Sequence, residues 1–275
     1  MLWGDRPDGV RVRDLPPMRV LMPHLIPRRN SAVVYLTQRL DLTQTVPWLE
    51  QRSAEAGVRI TLFHLLQFAL VQVLVQRPLL HRFVAGRCIY QRRHLELSFA
   101  VKKRLDDGAG MTAVKVRLAP DADLLAVVRA ADGGIAQGRG RALLPSEREM
   151  QVFGRLPPFL LGWLVALQRQ LDAWNLLPGA LTASDPLYCS AFLANLGSIG
   201  LQAPIHHLFD WGTSPIFGAL GAIHQAAWVN ESGGLEVRPT VEVSWSYDER
   251  IADGLYCAKS MEILRKVVER PDLSA

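Results

Sequence analysis

Residues suited to chemistry are few in this chain and fall in short clusters. Ser246-Tyr247-Asp248-Glu249-Arg250-Ile251-Ala252-Asp253-Gly254 brings three carboxylates and a guanidinium together where a helix-patterned tail begins. A carboxylate can act as a general base near neutral pH when burial lifts it from its ordinary pKa of about 4.3. Ile205-His206-His207-Leu208-Phe209 offers histidine, the usual base at that pH. Adjacent side chains on an extended chain point to opposite sides, so at most one of the pair faces a given ligand. His24, His64, His81, His94 and His224 have less to recommend them. Cys88, Cys189 and Cys257 show no C-x-x-C spacing, which predicts neither a disulfide framework nor a zinc site. The glycine-rich stretch Gly133 to Gly140 lacks a P-loop lysine and a strand-to-helix context, and it reads as a linker.

With 275 residues, 49% of them hydrophobic, the chain can bury a large core. Its net charge of +5 suits acidic partners, but the basic residues lie in separate short groups: Arg11-Val12-Arg13, Arg28-Arg29, Arg92-Arg93 and Lys102-Lys103-Arg104. That scatter argues against nucleic acid, whereas an anionic thioester such as coenzyme A fits the balance. Met1 to Pro17 carries charges and prolines and no hydrophobic h-region, so a cytoplasmic location is expected. The best apolar run, Phe159 to Leu167, is under half of the roughly 20 residues that a membrane span requires.

The prolines at 7, 16, 17, 23 and 27 predict an extended N-terminal arm over residues 1–30 rather than a continuous helix. A strand is expected from Ala32 to Leu42, then a helix from Pro47 to Ala56 with Thr45 as cap and Gly57 as stop. Thr61 caps a second helix, Leu62 to Gln76, whose apolar residues run nearly all round and predict burial. Arg87 to Gln91, Leu95 to Lys102 and Thr112 to Leu118 read as a meander with turns at Gly86 and Asp106-Asp107-Gly108. A helix capped by Asp121 follows, from Ala122 to Ala131. Leu144 to Leu177 holds an uncharged helical segment from Pro157 to Gln168. It reads as a buried or subunit-covered helix, with a wall for a long acyl chain or a membrane-surface helix at 157–177 as the less favoured alternatives. Strands are predicted at Tyr188 to Leu196, Ile216 to Ala222 and Leu235 to Tyr247, the last with Pro239 marking a sheet edge or bulge and with a hairpin turn at Glu231-Ser232-Gly233-Gly234. The final helix runs from about Ala252 to Val268.

Several of these segments, taken in order, resemble the catalytic domain of the 2-oxoacid dehydrogenase acyltransferases and its relative chloramphenicol acetyltransferase. Thr61 to Pro78 and Leu95-Glu96-Leu97-Ser98-Phe99-Ala100-Val101 resemble the family's buried helix and following strand. Ala194-Asn195-Leu196-Gly197 resembles its Ser-Asn-Leu-Gly turn, and Ser214-Pro215 through Gly221-Ala222-Ile223 its next strand. Asp248 to Gly254 resembles its Asp-His-Arg-x-x-Asp-Gly motif. The resemblance implies an α/β fold, a chloramphenicol acetyltransferase-like two-layer sandwich around a mixed sheet, over residues 31–275 with an inserted apolar helical segment at about 144–178. It further implies a homotrimer or higher multiple with sites between subunits. No tightly bound cofactor or metal is implied; the co-substrate would be coenzyme A or a pantetheine or lipoyl thioester, and an acyl-carrier protein would suit as partner.

In the family the motif's histidine is the general base, and here that position holds Glu249. Glu249 could act in its place, or simply pair with an arginine, and His206 or His207 could supply the base instead. The oxyanion donor is a hydroxyl in the family, where this chain has Phe192 and Ala194 lining the substrate side. Neither side chain can donate, and strand alternation puts Ser190 on the same face as Phe192, about 7 Å farther along. Asp253, Gly254, Asn195 and Gly197 are the structural positions, Asp253 holding one of Arg19, Arg28, Arg29 or Arg39. Two readings follow: an acyltransferase with non-standard machinery, or an inactive relative serving as an oligomeric scaffold or ligand-binding module.

Overall fold

The computed structural model describes residues 4–103, 110–140 and 153–273. One large sheet dominates, with strand order β2-β10-β8-β7-β5-β6. These strands are β2 (Val33–Asp41), β5 (Leu95–Lys102), β6 (Met111–Leu118), β7 (Ala191–Asn195), β8 (Ile216–Leu220) and β10 (Leu235–Asp248), and β9 (His224–Val229) forms a hairpin with the first half of β10. Strand β7 runs parallel to both β5 and β8 while the other pairs are antiparallel, so the sheet is mixed, as expected.

Alternation along the strands sends one set of side chains to an inner face and the other to an outer face. Leu97, Phe99, Leu193, Ile216, Val243 and Trp245 face inward and pack in one core with α3 (Leu62–Gln76), α4 (Leu124–Arg139) and α7 (Gly254–Glu269). Helix α3 lies centrally, with twelve of its fifteen residues buried. Its start is fixed by a capping box: the Thr61 hydroxyl accepts from the His64 N–H while the His64 ring accepts from the Thr61 N–H. On the outer face, Phe192, Phe217 and Ala219 pack with Cys189 and Leu208.

Several predicted elements differ in the folded chain. Residues 1–30 contain β1 (Gly9–Arg11) and a nine-residue helix α1 (Pro17–Leu25), because Pro17 occupies the first helical position, where its missing N–H costs nothing. Strand β3 (Arg82–Ala85) went unpredicted, and it forms with β4 (Cys88–Arg92) and β1 a separate three-stranded sheet, so no meander runs from β4 into β5. The turn expected at 106–108 lies outside the described residues. Thr45 caps nothing; it sits inside helix α2 (Thr45–Ala56), and its hydroxyl donates to the Val268 carbonyl at 2.7 Å.

The glycine run is a helix, not a linker. Helix α4 is capped by Asp123 rather than Asp121 and continues to Arg139. A β-carbon at Gly138 would lie 3.1 Å from Val114 and 3.3 Å from Val101, and one at Gly134 would lie 3.0 Å from Val116. Spaced four apart, these two glycines let α4 lie directly on β5 and β6, a packing demand that outweighs poor helix propensity.

The apolar segment at 157–177 forms α5 (Pro158–Ala173), followed by the short α6 (Gly179–Ser184). No residue of α5 is buried within the chain, and Phe159 and Trp163 are 79% and 60% exposed, so its burial is not met within one subunit. The helix is pinned at its C-terminal end instead. The Arg6 guanidinium bonds the Asp172 carboxylate at 2.6 Å and its carbonyl at 2.8 Å, and Gly86 sits so close that a β-carbon would lie 2.0 Å from the Ala173 carbonyl oxygen.

Candidate functional site

Strand β10 ends at Asp248, and the motif that follows is rigidly held. The buried Asp248 carboxylate takes two bonds from the Arg250 guanidinium, at 2.7 and 2.8 Å, and a third from the Arg250 N–H. Arg250, 2% exposed, donates onward to the carbonyls of Ile26 and Pro27. The charges are thus neutralised within two residues and bonded outward, the condition under which a buried ion pair is tolerable. Ile251 and Ala252 enter the core, and Asp253 caps α7 by accepting from the Tyr256 N–H at 2.8 Å. A β-carbon at Gly254 would meet no atom within 4 Å, so packing among the described residues does not require glycine there.

Between these anchors stands Glu249, half-buried, its N–H donating to the Ala32 carbonyl. Arg19 spans the motif, bonding the Glu249 carbonyl oxygen at 2.6 Å and approaching the Asp253 carboxylate at 3.5 Å. Among the candidate arginines, Arg19 therefore partners Asp253, whereas Arg29 donates to the carbonyls of Phe209 and Gly212 and Arg39 to that of Ala227. The Glu249 carboxylate itself forms no ion pair or hydrogen bond among the described residues, contrary to the expectation of simple pairing with an arginine.

Ser190 is not placed as alternation predicted. Strand β7 begins only at Ala191, and the fully buried Ser190 hydroxyl turns to the start of β5, where it accepts from the Glu96 N–H at 3.0 Å and lies 3.4 Å from the His94 carbonyl. The His81 Nε2 stands 2.9 Å from it and 3.3 Å from the same His94 carbonyl. With the ring proton on Nε2, where it also reaches the His94 carbonyl, His81 donates to Ser190; with it on Nδ1 the direction reverses. Burial, with Arg92 nearby, pushes His81 down to about 4, which keeps the ring neutral. Both groups are tied to backbone at the start of β5, Ser190 by the Glu96 N–H and the His94 carbonyl and His81 by the same carbonyl.

The Asn-Leu-Gly turn closes tightly at the far end of β7. Asn195 accepts from the Ser198 N–H, and a β-carbon at Gly197 would lie 2.3 Å from the Gly221 carbonyl oxygen, which restricts that position to glycine. Phe192 stacks on Phe217 at 5.4 Å between centroids, with half-buried Ala194 beside them on the outer face. The segment carrying the histidine pair crosses that same face, held by Ser244 donating to the Ala203 carbonyl and Ser246 to that of His206. His206 stacks on Phe217 at 4.0 Å, and the exposed His207 stacks on His206 at 4.5 Å.

Register shows which of these residues come together. Asn195 pairs with Leu220 and Leu220 with Val243, whereas Glu249 lies six residues beyond Val243, just past the end of β10. At about 3.3 Å per residue, the turn and Glu249 are about 20 Å apart along the sheet. The histidine pair lies between them, level with Ser246 and Phe217. A cavity of about 440 Å³ opens on the outer face, between Leu161, Leu164 and Val165 of α5 and Ala100, Phe192 and Trp211. Arg19 is one of the four arginines that the sequence offers to Asp253, and the cavity lies beside α5, the segment that the sequence offers as an alternative wall for an acyl chain. The buried Asp248–Arg250 pair is what sequence reading missed, although the Asp-x-Arg spacing could have suggested it. Among the described residues, no group of three or more His, Cys, Asp or Glu side chains could hold a metal ion, and no helix is long and apolar enough to cross a membrane.

Residues 179–275 match the sequence model of the 2-oxoacid dehydrogenases acyltransferase (catalytic domain) family. Among curated protein sequences nothing matches the chain. Among solved structures, it is similar to the cubic core of the pyruvate dehydrogenase multienzyme complex, with a TM-score of 0.60 and 16% identity over 96% of this chain and 94% of that one. The dihydrolipoamide acetyltransferase of Azotobacter vinelandii, in which a serine, a histidine and an asparagine were investigated for their roles in catalysis, gives 0.59 and 17% over 96% and 94%. Chloramphenicol acetyltransferase gives 0.54 and 10% over 95% and 98%. Likeness at these identities is one of fold. In the sequence of its last third and the fold of its whole length, the chain is similar to the catalytic domain of the 2-oxoacid dehydrogenase acyltransferases.

Proposed function

We propose that the protein transfers an acyl group from a coenzyme A or carrier-bound thioester to a small-molecule or lipid-like acceptor, with Glu249 as general base. The observation that carries this reading is the state of Glu249: a half-buried carboxylate with no cation on it among the described residues, set between the two members of the anchored Asp248–Arg250 pair. A carboxylate free of ion pairing can accept a proton from a thiol or hydroxyl, and loss of such help typically costs about 10²–10⁴-fold. The apolar cavity walled by α5 supports a long acyl chain as the group carried. Separation of Glu249 from the Asn195–Gly197 turn supports a homotrimer or higher multiple, in which one subunit's motif meets another's turn.

Thiol release from a panel of acyl-coenzyme A donors tests the reading. Glu249→Ala is expected to lower turnover about 10²–10⁴-fold while His207→Ala leaves it within about threefold. A second reading, an inactive relative that binds ligand or serves as a scaffold, is favoured by one observation: Phe192 and Ala194 offer no hydroxyl, and the Ser190 hydroxyl is bonded to backbone. Binding of coenzyme A without turnover of any donor would sink the enzyme reading and leave this one.

A further inference from the structure

Helix α5 keeps different company on its two faces. Leu161, Leu164 and Val165 line the apolar cavity on the inner side. Phe159, Trp163, Leu167 and, just past the helix, Trp174 are all exposed, and their spacing of four, four and seven residues sets them in one outward stripe. The helix has two ionic residues, Arg169 and Asp172, and at 3.6 residues per turn both fall off that stripe. Asp172 is held by Arg6 at 2.6 Å. Arg169 and Arg155, which stands just before the helix, are exposed and hold no carboxylate among the described residues.

We propose that α5 docks the protein on an anionic lipid surface, lying along the headgroup boundary with Phe159 and Trp163 inserted and Arg155 and Arg169 among the lipid phosphates. An aromatic-rich apolar stripe with cations at its margins suits that boundary, where apolar side chains leave water while guanidiniums remain with the headgroups. At 1.5 Å per residue, the 16 residues of α5 extend about 24 Å, short of the roughly 30 Å of a hydrocarbon core, so the helix lies on the bilayer rather than spanning it. Charge favours lipid over a second copy of the same face. Two copies packed through it would gather arginines with no free carboxylate on either helix, whereas an anionic bilayer supplies the counter-charge. The net charge of +5 acts in the same direction. Docking is independent of the acyl-transfer reading, because neither Phe159 nor Trp163 lines the cavity.

Co-flotation of the full chain with vesicles of phosphatidylcholine alone, and with about 30% phosphatidylserine added, tests the proposal at about 100 mM salt. The protein is expected to float with the anionic vesicles and at least about tenfold less with the neutral ones. Arg155→Gln/Arg169→Gln should weaken anionic binding about 10–25-fold, at about fivefold for each arginine near the surface. Phe159→Ser/Trp163→Ser changes only exposed side chains, so it should keep its melting temperature and its sedimenting mass and lose at least about tenfold in binding to the anionic vesicles. No flotation with anionic vesicles, or equal flotation by the serine variant, would overturn the proposal. So would a lower sedimenting mass for that variant, which would make the stripe a contact between copies of this chain. Should the serine variant not fold, quenching of tryptophan fluorescence by lipid brominated in its acyl chains decides. Quenching should fall in Trp163→Phe, which keeps the stripe apolar, and quenching untouched by that change would place another surface at the bilayer.

Discussion

Neutral His81 carries the clearest pH signature in the molecule. Its folded pKa, about 4, lies below the roughly 6.5 of an exposed histidine. The unfolded chain therefore binds the proton more readily, and the contribution of this residue is complete above pH 6.5 and declines as pH falls towards 4. The loss should reach up to about 3 kcal/mol across that window, read as a falling urea midpoint, and His81→Gln should flatten the dependence. A variant with the unaltered slope would mean that another group sets it. The same residue shows what spacing conceals. His81 and Ser190 are 109 residues apart, and only the return of the chain beside the start of β5 brings them to 2.9 Å.

Among the elements, α4 departs furthest from sequence expectation, and α5 is not covered within one subunit. Composition ends α4 at the glycine run, but two of its glycines, Gly134 and Gly138, are where a side chain would crowd the sheet. Gly138→Val should therefore cost about 1–3 kcal/mol by overpacking, whereas Gly133, where a β-carbon meets nothing, should accept Ala with a gain of about 0.5–1 kcal/mol. Chemical denaturation of the two variants separates a packing role from a linker, for which both changes would be near neutral. The uncharged stretch of α5 predicts a helix that is buried or covered by another subunit, and within one subunit its neighbours leave both Phe159 and Trp163 outside. Periodicity reports that a face is apolar; the material that covers it is set by where the helix is pinned, here by Arg6 and Gly86.

For the whole molecule, the split between the Glu249 motif and the Asn195–Gly197 turn has a measurable consequence. Sedimentation at micromolar concentration should give three times the 30.6 kDa chain mass or a multiple of it, and a monomer would leave the two halves of the proposed site apart. Much of the fold was legible in the chain. The apolar α3, the β2, β5 and β10 alternation, the β9–β10 hairpin and the order of the family-like segments all follow from local pattern, because burial of one face imposes a period on the sequence. The site was legible only as a set of positions. Asp248 to Gly254 identified where a base would stand, but pairing depends on contacts between distant segments: Arg19 on Asp253, Arg250 on Ile26 and Pro27, and nothing on the Glu249 carboxylate among the described residues. Local pattern thus accounts for most of the large sheet, its central helix and the place of the motif, but not for α1, β3 or the full length of α4. That Ser190 is bonded to backbone, that Arg19 bridges the motif and that no described residue pairs with the Glu249 carboxylate were settled only by tertiary contacts, because each depends on which distant segments meet in space.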